Sequence, residues 1–121
     1  ETANEQVAVL VQAEHIEAVE NIESIVRVEG IDGIMLGPYD LSASLGKMGQ
    51  LDDPAVVGAI ERVFHACQST GMPIGYFGVS ADAVRPYLQK GYNLILAGVD
   101  TLHLGNAAQD LLNELKPSPN D

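Results

Sequence analysis

Short apolar runs alternate with longer stretches of helical periodicity along the 121 residues. Four runs rich in β-branched and other apolar residues predict strands over residues 7–12, 31–36, 72–77 and 92–97. The segments that follow these runs predict helices over residues 15–28, 54–69, 81–89 and 105–115. The predicted order is therefore (βα)4 over residues 1–116, with a frayed tail over residues 117–121.

Strands that alternate with helices form a parallel sheet, because each helix returns the chain to the start of the next strand. The predicted strands are apolar on both faces, which is typical of parallel strands that are covered on both sides. This pattern fits either a small open α/β sheet or a (βα)4 half of a TIM (βα)8 barrel. A half-barrel leaves its first and last strands without a neighbour, and such edges favour association. We therefore expect a missing N-terminal half or an assembly that covers the edges.

The charge balance restricts the class of partner. Six Lys and Arg residues stand against 17 Asp and Glu residues, for a net charge of −11. Nucleic acids and anionic membranes attract positive charge, so neither is an expected partner. No apolar run approaches the roughly 18 residues of a membrane span. The single cysteine, Cys67, excludes an internal disulfide and fits a cytoplasmic protein.

Two carboxylates follow consecutive strands. Ligands of parallel α/β folds bind at the carboxyl ends of the strands, where Glu14 and Asp40 are expected. Adjacent strands lie about 4.8 Å apart, so two acids there repel each other unless a cation lies between them. A hard ion such as Mg²⁺ binds one or two protein carboxylates and leaves positions open for substrate. The alternative is structural: Glu14 begins a helix and Asp40 caps a turn.

Other polar residues near these strand ends have both a functional and a structural interpretation. Backbone amides around Gly37 and Tyr39 could donate to an anionic carboxylate, but the segment also reads as an ordinary Gly-Pro turn. His15, next to Glu14, either supports the site or is structural. Asp100 is expected to cap the helix or turn after the fourth strand, and Cys67 is expected to be a small buried residue.

Three segments carry a family resemblance: residues 11–14 (VQAE), 37–42 (GPYDLS) and 98–102 (GVDTL). Together they closely resemble the 4-hydroxy-2-oxoheptanedioate aldolase family of class II, metal-dependent pyruvate aldolases. That family includes 2-dehydro-3-deoxyglucarate and 2-keto-3-deoxy-rhamnonate aldolases. The resemblance implies a phosphoenolpyruvate/pyruvate-type barrel, of which this chain is the C-terminal half, strands five to eight.

The resemblance also implies roles for individual residues. Glu14 and Asp40 would bind Mg²⁺ or Mn²⁺, and Gln12 would contact the bound oxo acid. The backbone amides of Gly37 and Tyr39 would hold the pyruvate carboxylate. The family reversibly cleaves a 4-hydroxy-2-oxo acid to pyruvate and an aldehyde, with the metal acting as a Lewis acid. Such chemistry belongs to the catabolism of aromatic or sugar acids.

The resemblance places the catalytic base and the substrate-binding arginine in the first half of the barrel. No residue of this chain is therefore assigned as the catalytic base, and we expect the chain alone to bind metal but to be inactive. Tyr39 and His15 also depart from the family, which usually has a small residue and a Thr or Ser at these positions. Expected partners are a 2-oxo acid and either identical copies or a complementing N-terminal half. The alternative function is a non-catalytic half-barrel that self-assembles or pairs with another half.

Overall fold

A sheet of four parallel strands organises the structure, a computed structural model that describes residues 2–116. The strands lie in the order β1–β2–β3–β4, with bounds Leu10–Ala13, Gly33–Leu36, Ile74–Gly78 and Leu94–Ala97. The helices are α1 (Ala3–Gln6), α2 (Ile16–Glu20), α3 (Ile22–Ile25), α4 (Pro38–Ser44), α5 (Pro54–Thr70), α6 (Ala81–Lys90) and α7 (Asp100–Leu115). The predicted half-barrel is confirmed, and the four predicted strands are present with bounds that shift by up to three residues.

The helix predicted over residues 15–28 is in fact two short helices, α2 and α3. Asn21 separates them, and its Nδ2 donates a 2.7 Å hydrogen bond to the backbone carbonyl of Glu17. A side chain that bonds to nearby backbone competes with the regular helical pattern. The apolar stripe survives the break, because Val19 and Ile22 are both buried.

The structure differs from the predictions at the start of two helices, α4 and α7. The segment expected to be a Gly-Pro turn is helix α4, with Gly37 as its N-cap and Pro38 in its first turn. Proline suits that position because its φ is preset and its missing N–H would be unpaired anyway. Helix α7 begins at Asp100 and not at Gly105, so Asp100 is its first residue and Val99 is the cap.

The core lies between one face of the sheet and helices α2, α3, α4, α5 and α6. Alternate residues of the central strands point into it, among them Ile34, Leu36, Ile74 and Tyr76. Helix α5 contributes the largest helical share, with Val56, Ile60, Val63, Phe64 and Cys67 buried. Cys67 is fully buried, as predicted. The opposite face remains open at its margins, where Leu10, Leu94 and Leu96 are exposed.

The two outer strands, β1 and β4, each have one strand neighbour among residues 2–116. This arrangement matches the unpaired edges expected of a half-barrel. None of the helices within the same residues has the length and apolarity needed to cross a membrane. The predicted tail, residues 117–121, lies outside the described residues.

Candidate metal and oxo-acid site

The register of β1 and β2 brings the two predicted acids to one rim of the sheet. Ala13 pairs with Leu36 at the carboxyl ends of these strands. The next residue on each strand is therefore Glu14 on one side and Gly37 on the other. Asp40 follows within the first turn of α4, where a carboxylate also complements the positive end of the helix dipole.

Gly37 forms the floor of a space that both carboxylates face. A Cβ atom placed on Gly37 would lie 3.1 Å from Glu14 Oε2 and 4.0 Å from Asp40 Oδ2. Both oxygens thus lie within 4.0 Å of one point, at which a side chain would crowd Glu14. The structure therefore brings Glu14 and Asp40 together.

Gln12 extends this cluster along β1. Its Nε2 donates a 2.9 Å hydrogen bond to Glu14 Oε2, because residues two apart on a strand share a face. The amide holds the carboxylate over Gly37 and lies beside the same space. Contact between Gln12 and an oxo acid stays a prediction.

The backbone amides at the start of α4 are not equally available. The Gly37 N–H donates to the carbonyl of Ala13 over 3.3 Å, which ties β1 to β2 beyond the last paired residues. Pro38 has no N–H. Tyr39 and Asp40 are the next two residues of the helix, and amides in a first helical turn have no carbonyl partner within the helix. Of the two amides predicted to hold a carboxylate, that of Tyr39 is the more available.

Two serines for which no role was predicted hold the elements of the site together. Ser44 Oγ accepts a 3.0 Å hydrogen bond from the Ile16 amide and donates to the Leu41 carbonyl. It thereby fixes the turn after Glu14 to helix α4. Ser42 is fully buried, donates to the Tyr39 carbonyl over 2.6 Å and accepts from the Gly49 amide over 2.9 Å.

His15 and Tyr39 make structural contacts, unlike the two carboxylates of Glu14 and Asp40. The Nδ1 atom of His15 accepts a 3.3 Å hydrogen bond from the Glu17 amide and caps helix α2. The ring of Tyr39 packs edge-on against Phe77, with 6.2 Å between ring centroids. It forms one wall of a cleft of about 540 Å³ between α6 and the loop that precedes α5. The Tyr39 side chain therefore lines this aromatic cleft.

The described residues supply two acidic ligands at this rim. No group of three or more His, Cys, Asp or Glu side chains that could hold a metal occurs anywhere in residues 2–116. Two carboxylates above a glycine are nevertheless a hard oxygen donor set of the kind that Mg²⁺ and Mn²⁺ accept.

Comparison with known proteins identifies the evolutionary group. Residues 1–107 match the HpcH/HpaI aldolase/citrate lyase family. The chain belongs to this family. The recognised resemblance to pyruvate aldolases is therefore confirmed, and the matched region contains both acidic residues of the site.

Family members with assigned activities are similar over nearly the whole chain. The hydroxypyruvate/pyruvate aldolase of Pseudomonas aeruginosa is 37% identical over 120 residues, which cover 97% of this chain and 45% of that protein. The 4-hydroxy-2-oxo-heptane-1,7-dioate aldolase of Escherichia coli is 39% identical over 109 residues, which cover 90% of this chain and 42% of that protein. The chain thus spans less than half the length of these relatives.

A solved family member has the same fold. The HpcH/HpaI aldolase/citrate lyase family protein of Burkholderia cenocepacia superposes with a TM-score of 0.90 at 39% identity. The superposition covers 96% of this chain and 45% of that one. The half-barrel of this chain therefore corresponds to about half of a family fold.

Proposed function

We propose that this chain carries the metal-binding side of a class II pyruvate aldolase site. In this reaction class a carbon–carbon bond of a 4-hydroxy-2-oxo acid breaks to give pyruvate and an aldehyde. Membership of the HpcH/HpaI family supports this proposal, as do the names of two relatives. The observation that carries it is the convergence of Glu14 Oε2 and Asp40 Oδ2 over Gly37.

Glu14 and Asp40 would hold a divalent cation, Mg²⁺ or Mn²⁺. Two carboxylates leave much of an octahedral ion's coordination free for water and substrate. When bound, the ion supplies Lewis-acid stabilisation of the negative charge that develops on the oxo acid. Gln12 keeps Glu14 in place by its 2.9 Å hydrogen bond, and Ser44 holds the backbone that follows Glu14.

The oxo acid would lie beside the first turn of α4. The Tyr39 amide can donate to its carboxylate, and the Gly37 amide can join if its 3.3 Å bond to Ala13 is shared. Glycine at position 37 lets the substrate approach the backbone closely. The amide of Gln12 is the nearby side chain that can contact the substrate's oxygen atoms.

The described arginines do not serve this site. Arg62 binds the Glu23 carboxylate over 2.9 Å, Arg85 binds Asp82 over 3.3 Å, and Arg27 donates to the carbonyl of Glu23. Arg62 and Arg85 lie in α5 and α6, and Arg27 follows α3, so each of the three has a partner other than Glu14 and Asp40. We therefore propose that the catalytic base and the substrate-binding arginine come from the part of the barrel that this chain does not contain, and that the chain alone does not turn over substrate.

Metal binding provides the first test. Isothermal titration of Mn²⁺ into the chain should show one site, and Glu14→Gln or Asp40→Asn should weaken it at least about tenfold, because each removes a charged ligand. Glu29→Gln is the matched control, since Glu29 is exposed and lies before β2, at the other end of the strand. Unchanged Mn²⁺ affinity in either site variant, with an unchanged circular dichroism spectrum, would reject the site.

Complementation provides the second test. The chain is mixed with the separately produced N-terminal half of the Pseudomonas relative, and pyruvate release from a 4-hydroxy-2-oxo acid is followed with a coupled lactate dehydrogenase assay. Mn²⁺-dependent release should require both halves and should disappear with Asp40→Asn. Release by the chain alone would show that no second half is needed, and the absence of release by the assembled halves would contradict the proposed reaction.

A further inference from the structure

The aromatic cleft between α6 and the loop that precedes α5 has no ligand in the proposed reaction. Its volume of about 540 Å³ is within the range of about 300–1,000 Å³ that is usual for small-molecule pockets. Tyr39, Phe77 and Tyr87 contribute aromatic rings to its lining. Neither Glu14 nor Asp40 is among the lining residues, so the cleft is a second candidate site beside the carboxylate pair.

The aromatic rings of the cleft stand at an angle to one another. The ring planes of Tyr39 and Phe77 are inclined by 66°. On the α6 side, Tyr87 stacks on the buried ring of Tyr76 with an interplanar angle of 13°. The faces of aromatic rings carry partial negative charge, so they attract cations and repel anions. Walls of this composition therefore favour a positively charged ligand.

One carboxylate completes the lining. Asp52 is the only charged residue among the lining residues, which include no Lys, Arg or His. The adjacent Asp53 is already engaged, because it binds Lys47 over 3.1 Å and accepts a hydrogen bond from the Ala55 amide. Asp52 is exposed and has no cationic partner within residues 2–116. The cleft thus combines aromatic walls with one unpaired negative charge.

Hydrogen bonds fix the loop that carries Asp52. The Gly49 amide donates to Ser42 Oγ over 2.9 Å, and the Asp53 amide donates to the Gln50 carbonyl over 3.1 Å. Gly49 has a φ of 75°, in the left-handed region that favours glycine. The loop is therefore held in place without a ligand, and a site that is already formed loses less conformational entropy on binding.

We propose that this cleft binds a small organic cation of the alkylammonium or quaternary ammonium class, with its charged group against the aromatic rings and paired with Asp52. Cation–π attraction and a neighbouring carboxylate together recognise such a group. An anion would find no basic residue in the lining. A metal ion needs several oxygen ligands, whereas the lining supplies one carboxylate. The net charge of −11 also attracts cations to the chain.

Choline and its uncharged analogue, 3,3-dimethylbutan-1-ol, provide the test. The two molecules have nearly the same shape, but carbon replaces the charged nitrogen in the alcohol. Saturation-transfer difference NMR measures the binding of each to the 121-residue chain, with NaCl added to keep the ionic strength constant. We expect choline to bind with a millimolar or lower Kd and the alcohol to bind at least about tenfold more weakly.

Variants of the cleft locate the binding site. Asp52→Asn and Tyr39→Ala should each weaken choline binding about threefold or more, because each removes one attractive contact. Asp110→Asn is the matched control, since it removes the same charge from an exposed position of α7 that does not line the cleft. None of the three side chains is fully buried, so the variants should fold as judged by circular dichroism.

The possible results separate this proposal from the metal site. No choline binding, equal binding of the alcohol, or equal losses in Asp52→Asn and Asp110→Asn would each overturn the proposal. A loss of choline binding in Glu14→Gln but not in Asp52→Asn would place the cation at the carboxylate pair, and would overturn it too. The proposal does not rest on the aldolase function: a chain that binds choline but not Mn²⁺ would uphold the cation site and reject the metal site.

Discussion

β2 and β4 are both short strands of mainly apolar residues, yet they lie in very different surroundings. All four residues of β2 are buried, whereas three of the four in β4 are exposed. The helices show the same contrast, because α5 buries seven residues and α7 buries none. An apolar segment of this sequence is therefore not necessarily part of the buried core. Burial depends on whether the molecule supplies a second surface, and here it does so at β2, β3 and α5 but not at β4 and α7.

Matched leucines provide the strongest test of this contrast. Leu36 of β2 is 0% exposed and Leu96 of β4 is 47% exposed. Leu36→Ala should lower the free energy of unfolding by about 2–5 kcal/mol, because it leaves a cavity in packed surroundings. Leu96→Ala should change it by less than about 1 kcal/mol. Urea titrations followed by circular dichroism at low protein concentration measure both values.

Measuring the same losses at several protein concentrations shows whether association covers the β4 face. If the Leu96→Ala loss stays small at low concentration and grows at high concentration, the β4 face is covered by association. Equal losses for the two variants at every concentration would mean that the contrast between the two regions is wrong.

Substitutions of two glycines, one at the rim of the site and one in the body of the fold, provide a second comparison. In Gly37→Ala the new Cβ would meet Glu14 Cβ at 3.0 Å and Glu14 Oε2 at 3.1 Å, so the carboxylate must move. We expect Mn²⁺ affinity to fall about tenfold, equivalent to about 1.4 kcal/mol. Titration calorimetry of Mn²⁺ measures this change.

Gly58 is the control for this substitution. It lies within α5, and a Cβ there would meet nothing within 4 Å. Gly58→Ala should raise stability by about 0.5–1 kcal/mol, because alanine loses less backbone freedom in a helix. It should leave Mn²⁺ binding unchanged. Full Mn²⁺ affinity in Gly37→Ala would show that the space above Gly37 is not where the ion binds.

Much of this fold could be predicted because its local and global signals agree. Apolar runs separated by helical periodicity gave the number, order and direction of the strands. Helix α4 was missed because Gly37 and Pro38 read equally well as a turn and as a helix start. The break at Asn21 depends on one side-chain hydrogen bond that periodicity does not reveal.

The site was predictable where it follows from topology. Consecutive parallel strands that are neighbours must bring Glu14 near the start of α4. The role of Ser44 was not predictable, because its bond to the Ile16 amide joins residues that are distant in sequence. The Gly37 amide was predicted to donate to a carboxylate, but it donates to the Ala13 carbonyl, and this pairing depends on how far the β1–β2 ladder extends. That is a property of the folded sheet.

A cluster of aromatic rings lies at the boundary between the two regions, just before β4. Tyr92 is 1% exposed and stacks on Phe64 with 5.1 Å between ring centroids. Its hydroxyl is buried without a hydrogen-bond partner among the described residues. Burial, the largest cause, raises the pKa of Tyr92 well above its ordinary value of 10. The ring stabilises the core while its hydroxyl opposes burial.

Tyr92→Phe should therefore give the smallest effect of the three, a gain of about 1 kcal/mol in the free energy of unfolding at neutral pH, because it removes an unpaired buried group. The gain should grow above about pH 10, since the unfolded parent chain releases the Tyr92 proton there while the folded chain keeps it. Each proton that only the unfolded chain releases lowers the free energy of unfolding by about 1.4 kcal/mol per pH unit. Tyr87→Phe is the control, because the Tyr87 side chain is partly exposed. Urea titrations at pH 7 and pH 10.5 measure both effects. A loss of stability in Tyr92→Phe at both pH values would contradict this prediction. It would mean that the Tyr92 hydroxyl does have a hydrogen-bond partner, such as a buried water molecule.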